Sequence, residues 1–206
     1  MKSTGESVQL EGAIYALQDQ LNLSVHIGGK SALGLLGKAH FLEFDKKEVT
    51  LFGQREELLP KWVLNFPWDE KLKYHSSNFL PKEWNMVDLQ IKNYSIRISG
   101  PIRAMMECLY LAPENQSLIE CNEFMESLNN LVPKTVERML VECNLIKVKR
   151  LFLFLAEKAG HAWYKHIDLE KIDLGSGSRS VVAGGTFIKK YKITVPSELA
   201  ENESNL

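Results

Sequence analysis

The sequence predicts an α+β fold: short helices with small β-sheets or hairpins, and a helical C-terminal part closed by a β-hairpin. Three observations predict it. Residues 9–21 repeat Leu10, Ile14, Leu17 and Leu21 at helical spacing, giving one apolar stripe. Tyr94-Ser-Ile-Arg-Ile98 alternates side chains with the two-residue period of a strand. Residues 117–159 carry three successive helical patterns punctuated by Pro133 and Gly160.

The elements follow in chain order. After the helix over 9–21, Ser24–Ile27 reads as a short strand and Gly28-Gly29 as a sharp turn. Lys30–Leu36 then reads as a helix with Ser31 near its start and Gly37 at its end. Phe41–Phe44 and Glu48–Phe52, separated by Asp45-Lys46-Lys47, suit a hairpin. Between Pro60 and Pro81 the chain is aromatic and proline-punctuated, a composition that suits irregular strands packed on a core. Ser99-Gly-Pro101 opens a helix that runs to Tyr110 and stops at Pro113, because proline is tolerated in a first helical turn and not in the interior.

Helices are then expected over Ser117–Leu128, Pro133–Cys143 and Val148–Ala159. In the last of these Val148, Leu151, Phe152 and Leu155 form the apolar stripe. Lys147, Lys149, Arg150 and Lys158 fall on its flanks and are expected to be presented to solvent. Ser180–Val182 and Thr186–Val195 read as a hairpin turning at Ala183-Gly-Gly185. Its second strand would put Lys190, Lys192 and Thr194 on one face and Lys189, Tyr191 and Ile193 on the other. The expected organisation is an N-terminal αβ part over 1–89, a C-terminal part over 90–195 and a disordered acidic tail over 196–206.

A length of 206 residues allows one good-sized domain or two small ones. The hydrophobic fraction of 45% and charged fraction of 25% exclude disordered and collagen-like chains. Cys108, Cys121 and Cys143 form no CxxC pair, which argues for a reducing compartment and against a disulfide framework or a structural zinc site. The apolar run Leu151–Ala156 is far shorter than the roughly 20 residues of a membrane span, and no apolar stretch follows Lys2, so a cytoplasmic protein is expected.

The net charge of −1 conceals an asymmetry. Residues 1–133 hold 13 basic and 17 acidic side chains, residues 134–192 hold 12 basic and 6 acidic, and the remaining tail holds three glutamates. A compact segment of charge +6 is a candidate surface for an anionic partner. Its bland alternative is an ordinary solvated face.

Familiar chemistry is missing. Gly28-Gly29-Lys30-Ser31 sits between strand and helix, where backbone N–H groups can cradle phosphate, but Ser24 stands where a phosphate loop needs its first glycine. Gly175-Ser-Gly177 lacks the third glycine of a dinucleotide fingerprint. His161 and His166 lie beside Trp163 and Tyr164 without a neighbouring ligand pattern, which favours packing over metal binding or proton transfer. The aromatic run Trp62–Trp84 can serve as core or as a base-stacking surface, and the cysteines read as small buried hydrophobes.

Six segments, in order, carry a resemblance: Leu10–Gln18, Val25–Leu33, Tyr94–Pro101, Leu128–Leu131, Lys147–Trp163 and Asp173–Ser180. Together the chain resembles the AbiEi antitoxins of type IV toxin–antitoxin systems. The resemblance implies an abortive-infection antitoxin acting in phage defence, opposed to a nucleotidyltransferase-like toxin and repressing its own promoter. Family members open with a winged-helix DNA-binding domain, whereas here the helix Gln9–Leu21 starts almost at Met1. Most of that domain is therefore expected to be absent, with residues 1–89 combining a remnant linker and the start of the antitoxin domain. DNA binding at the promoter would then need a winged helix supplied from elsewhere, and direct contact with the toxin stays open.

The expectation is a regulatory antitoxin that is not an enzyme and takes no cofactor or metal, with no membrane partner. Its candidate nucleic-acid or partner contacts are Lys147, Lys149, Arg150, Lys158, Lys165, Arg179, Lys189, Lys190 and Lys192. The competing readings are a DNA-binding regulator acting through the basic C-terminal part and a nucleotide-binding enzyme using Gly28–Ser31 with His161 and His166.

Overall fold

A computed structural model describes residues 9–38 and 48–200. The N-terminal half begins with α1 (Leu10–Tyr15), which continues into one π-helical turn at Ala16–Gln20. Then come β1 (His26–Ile27), α2 (Gly29–Leu35), β2 (Glu48–Gly53), α3 (Lys61–Asn65), β3 (Lys71–Ser76), β4 (Met86–Ile91) and β5 (Tyr94–Ser99). The helical layer is α4 (Pro101–Leu111), α5 (Leu118–Glu126), α6 (Pro133–Glu142) and α7 (Ile146–Lys158). Short 3-10 turns at Ala162–His166 and Leu169–Lys171 lead to β6 (Arg179–Ser180), β7 (Thr186–Ile188), β8 (Ile193–Val195) and α8 (Ser197–Ala200). The fold is α+β. Among the described residues no helix is long and apolar enough to cross a membrane.

Local chemistry explains many boundaries. Leu10, Ala13, Ile14 and Leu17 bury the stripe of the first helix. Ser117 caps α5 by accepting the N–H of Glu120, and prolines occupy the first turns of α4 and α6. Gly160 at φ +67° turns the chain after α7, a conformation a Cβ would oppose.

Five strands form a mixed sheet in the order β3-β2-β1-β5-β4. The two-residue β1 is its middle strand, antiparallel to β2 and parallel to β5 through Ile27 and Ile98. β3 runs parallel to β2 over six residue pairs, and β4 forms a hairpin with β5. The expected division after Leu89 falls inside β4, and β1 from the N-terminal segment lies beside β5. Both sides of that boundary therefore share one sheet and one buried cluster. Phe41–Phe44, the first arm of the expected hairpin before β2, lies outside the described residues.

The aromatic stretch folds into α3 and the regular strand β3 rather than irregular strands. Val63 anchors α3 in the core, and the Trp68 indole N–H donates to the Val63 carbonyl at 2.7 Å. Leu58, Trp62, Leu64 and Phe66 remain exposed, Leu58 by 83%.

The other departures lie near the C-terminus. The expected ten-residue strand Thr186–Val195 folds back on itself, so β7 pairs antiparallel with β8 and β6 adds parallel to β8. The cause is Tyr191, which turns inward against Phe154, while Lys192 adopts φ +50° to reverse the chain. The expected alternation of Lys189–Lys192 across two strand faces is therefore replaced by a turn. Within the tail expected to be disordered, Ser197–Ala200 forms α8, because Leu199 finds a buried site that offsets the ordering cost of one turn, and residues 201–206 lie outside the described residues.

At the centre, α4 packs between α2 and α7. Both α4 and α7 are buried nearly all round, so the charged residues along them need internal partners.

Candidate partner interface

α7 decides which bases reach the surface. The expectation of a solvent-facing flank is corrected for three of them. Arg150 is 1% exposed, and its guanidinium donates to four carbonyls: Leu174 at 2.8 Å, Gly175 at 3.0 Å, Gly177 at 2.8 Å and Lys192 at 3.0 Å. Gly175 and Gly177 adopt positive φ in this acceptor loop, and Asp173 closes it by accepting the Gly175 N–H at 2.7 Å. The segment Asp173–Ser178 is thus a cradle for a side chain of the chain itself. Burial, followed by the nearby charge of Arg179, lowers the Arg150 pKa from its ordinary value.

Lys147 and Lys149 finish other helices. The Lys147 ammonium donates to the carbonyls of Tyr110 and Ala112 at 3.1 and 2.6 Å, at the C-terminal end of α4. Lys149 reaches Val141, at the end of α6, at 3.4 Å. A cation at a helix C-terminus satisfies orphan carbonyls and complements the helix dipole. Charge counting misses these roles because the acceptors are backbone atoms distant in sequence.

Of the other six bases, Lys165, Arg179, Lys189, Lys190 and Lys192 are exposed and Lys158 is half-buried. Lys189, Lys190 and Lys192 occupy the turn between β7 and β8, and Arg179 lies alongside, its N–H donating to the Lys192 carbonyl at 2.8 Å. Lys190 crosses to Glu157 on α7 in an ion pair. The Tyr191 hydroxyl donates to the same carboxylate at 2.8 Å and lies 2.6 Å from the Tyr164 hydroxyl. Burial, then these hydrogen bonds, push the Tyr191 phenol up. This cluster ties the turn to α7, which carries Lys158, and to the Ala162–His166 turn, which carries Lys165. Among the described residues, Lys158, Lys165, Arg179, Lys189 and Lys192 are in no ion pair.

The glycine turn before α2 is filled by the chain's own anion. Glu107 of α4, fully buried, accepts the Gly29 N–H at 2.9 Å, the Ser99 hydroxyl at 2.7 Å and the Arg103 guanidinium at 2.9 Å. His26 Nε2 lies 3.1 Å from the same carboxylate. A Cβ on Gly28 would stand 2.3 Å from Glu107 Oε2, so glycine is needed for the approach. Ser31 is spent on β2, accepting the Thr50 N–H at 3.0 Å, and Lys30 faces Glu120 at 3.8 Å.

His161 is buried, its Nε2 2.7 Å from the Met125 carbonyl and its ring stacked on Trp163, while His166 is exposed. Burial raises all three thiol pKa values, that of Cys143 to about 11, so they stay protonated and packed. In the aromatic run Phe79 is core, Trp62 and Phe66 are exposed, and Trp84 carries the Arg138 guanidinium 3.6 Å from its ring centre. Among the described residues no three metal-ligating side chains gather.

Comparison with known proteins accords with this architecture. A solved structure, the RV2827C protein from Mycobacterium tuberculosis, superposes with a TM-score of 0.62 at 12% identity, covering 94% of this chain and 70% of that one, which is a likeness of fold. No curated protein matches. Residues 1–44, which include the stretch expected to be a remnant linker, match the family model described as "Transcriptional regulator, AbiEi antitoxin N-terminal domain". Residues 46–196 match "Transcriptional regulator, AbiEi antitoxin, Type IV TA system", and the chain belongs to that family of antitoxin regulators.

Proposed function

We propose that this chain is the cytoplasmic antitoxin that opposes a nucleotidyltransferase-like toxin, and that it works by contact rather than by catalysis. The observation that carries the reading is the set of exposed bases Arg179, Lys189, Lys190 and Lys192 at and beside the β7–β8 turn, anchored beneath by Arg150 and Tyr191. Exposed cations on a rigid support suit an anionic partner surface, where charge sets association rate and specificity.

The test replaces Arg179, Lys189 and Lys192 together by glutamate and co-expresses the variant with the neighbouring toxin. Loss of growth rescue with unchanged thermal unfolding supports the reading. Full rescue removes this surface from the function.

A second reading is favoured by the family description as a transcriptional regulator: the same cations hold DNA phosphates during autoregulation. Binding to the chain's own upstream DNA should then weaken steeply with salt, and the triple variant should flatten that dependence. A salt slope identical in variant and parent assigns DNA binding elsewhere.

A further inference from the structure

In the N-terminal half of the chain, the first helix and the β4–β5 hairpin border an open groove of about 490 Å³. Its shape begins with the π-helical turn, where the Leu21 N–H reaches back five residues to the Ala16 carbonyl at 3.2 Å. Such turns recur at functional sites. Gln18 on this turn is fully committed as scaffold: its amide donates to the Val25 and Arg97 carbonyls, both at 2.8 Å, and accepts the Arg97 N–H at 2.9 Å. The first helix is thereby locked to β5 and the groove is held open. The Tyr94 hydroxyl lies against the first helix at Gly12, where a Cβ would meet it in ordinary contact at 3.6 Å.

The lining is chemically one-sided. Tyr15 and Tyr94 set their rings 4.9 Å apart in a tilted pair, and Asp19, Asp88, Asn93 and Ser95 line the same groove, Asp88 and Ser95 from the other face of the hairpin. None of these six side chains makes a hydrogen bond to another described residue, and Asp19, Asp88, Asn93 and Ser95 face solvent, where a ligand can exchange for water. Arg97 is the single cation of the lining, and Glu83 holds it at 2.5 Å. Asp88 stands opposite Arg97 in the β4–β5 register but makes no ion pair with it among the described residues, and Asp19 makes none either, so the groove offers two aromatic faces and two carboxylates.

We propose that this groove binds an organic cation, an ammonium or guanidinium on a flexible stem. Carboxylates supply charge-assisted hydrogen bonds, the tyrosine faces attract the cation through their quadrupoles, and Asn93 and Ser95 orient its remaining hydrogens. The stem lies along the ring pair. A free polyamine and a basic side chain of a partner protein share this chemistry.

The experiment titrates the full chain with spermidine and, separately, with the capped tripeptide Lys-Arg-Lys, following backbone amide shifts at constant ionic strength. Saturable shifts confined to Asp19, Asp88, Asn93 and Ser95 are expected. Affinity should fall roughly tenfold in Asp19→Asn/Asp88→Asn and about threefold in Tyr15→Leu, which removes a π face without touching charge. Saturation by spermidine identifies a free polyamine as a competent ligand, and saturation by the peptide alone places the cation on a partner. Shifts that potassium chloride reproduces, or that persist undiminished in the Asn double variant, overturn the proposal.

Discussion

The Glu107 carboxylate accepts the Gly29 N–H at 2.9 Å, joining residues 78 apart in sequence and tying α4 to the start of α2. The same carboxylate accepts from Arg103 and Ser99 and faces His26, so four groups satisfy it. Glu107→Gln preserves shape but leaves Arg103 buried without its counter-charge, and should cost about 3–5 kcal/mol in urea unfolding. A change under about 0.5 kcal/mol, the scatter of ordinary surface substitutions, would show that the ion network is energetically idle.

Acid should reveal the same network. Burial pushes the Glu107 carboxyl up, but the His26 hydrogen bond, the charges of His26 and Arg103 and the Gly29 N–H together bring it below its ordinary value of 4.5. A carboxyl whose pKa is lower folded than unfolded stabilises fully above the unfolded value and loses that contribution as pH falls through the folded one. The parent should therefore lose stability more steeply than Glu107→Gln below about pH 4.5. Parallel curves for the two proteins would contradict this.

How far these features could be read in advance depended on range. Ser117, Pro101, Pro133 and Gly160 act on the residues beside them, so the helices they bound were legible from sequence. The Gly28-Gly29 turn was legible too, whereas its occupant was not, because Glu107 arrives from another helix. The candidate surface divides in the same way. Lys189 and Lys192 are exposed on a turn where the sequence suggested a strand, whereas Lys147, Lys149 and Arg150 are drawn inward by carbonyls that only the tertiary fold brings near. β4 carries an alternation as regular as that of β5, with Val87, Leu89 and Ile91 separated by Asp88 and Gln90, and was legible from sequence although it was not named.

Arg150 offers a sharper test of that division. Arg150→Lys keeps the charge yet loses the planar fork that reaches four carbonyls, and should destabilise by about 3 kcal/mol or more. Hydrogen exchange should then accelerate in residues 174–180 and at the Arg179 amide before elsewhere. If Arg150→Lys unfolds like the parent while growth rescue is lost, Arg150 belongs to the contact surface after all.

The two family matches meet near residue 45, inside the chain of one sheet. A fragment of residues 46–200 lacks β1 and α2, leaving β2 and β5 without their shared neighbour. It should show dispersed amide signals only when residues 9–38 are added as a separate peptide. A fragment that unfolds cooperatively alone would show that β1 is dispensable.

The place of β1 also governs how the protein emerges during synthesis. Ile27 leaves the ribosome about 70 residues before its partner Ile98, a delay of about 4–14 s at ordinary elongation rates. Through that interval the earliest strand waits for the latest one of its sheet, with Val25 and Ile27 uncovered. A slow codon cluster before β5 would lengthen the wait and increase the demand on chaperones, whereas one placed after Ser99 would let the sheet close first.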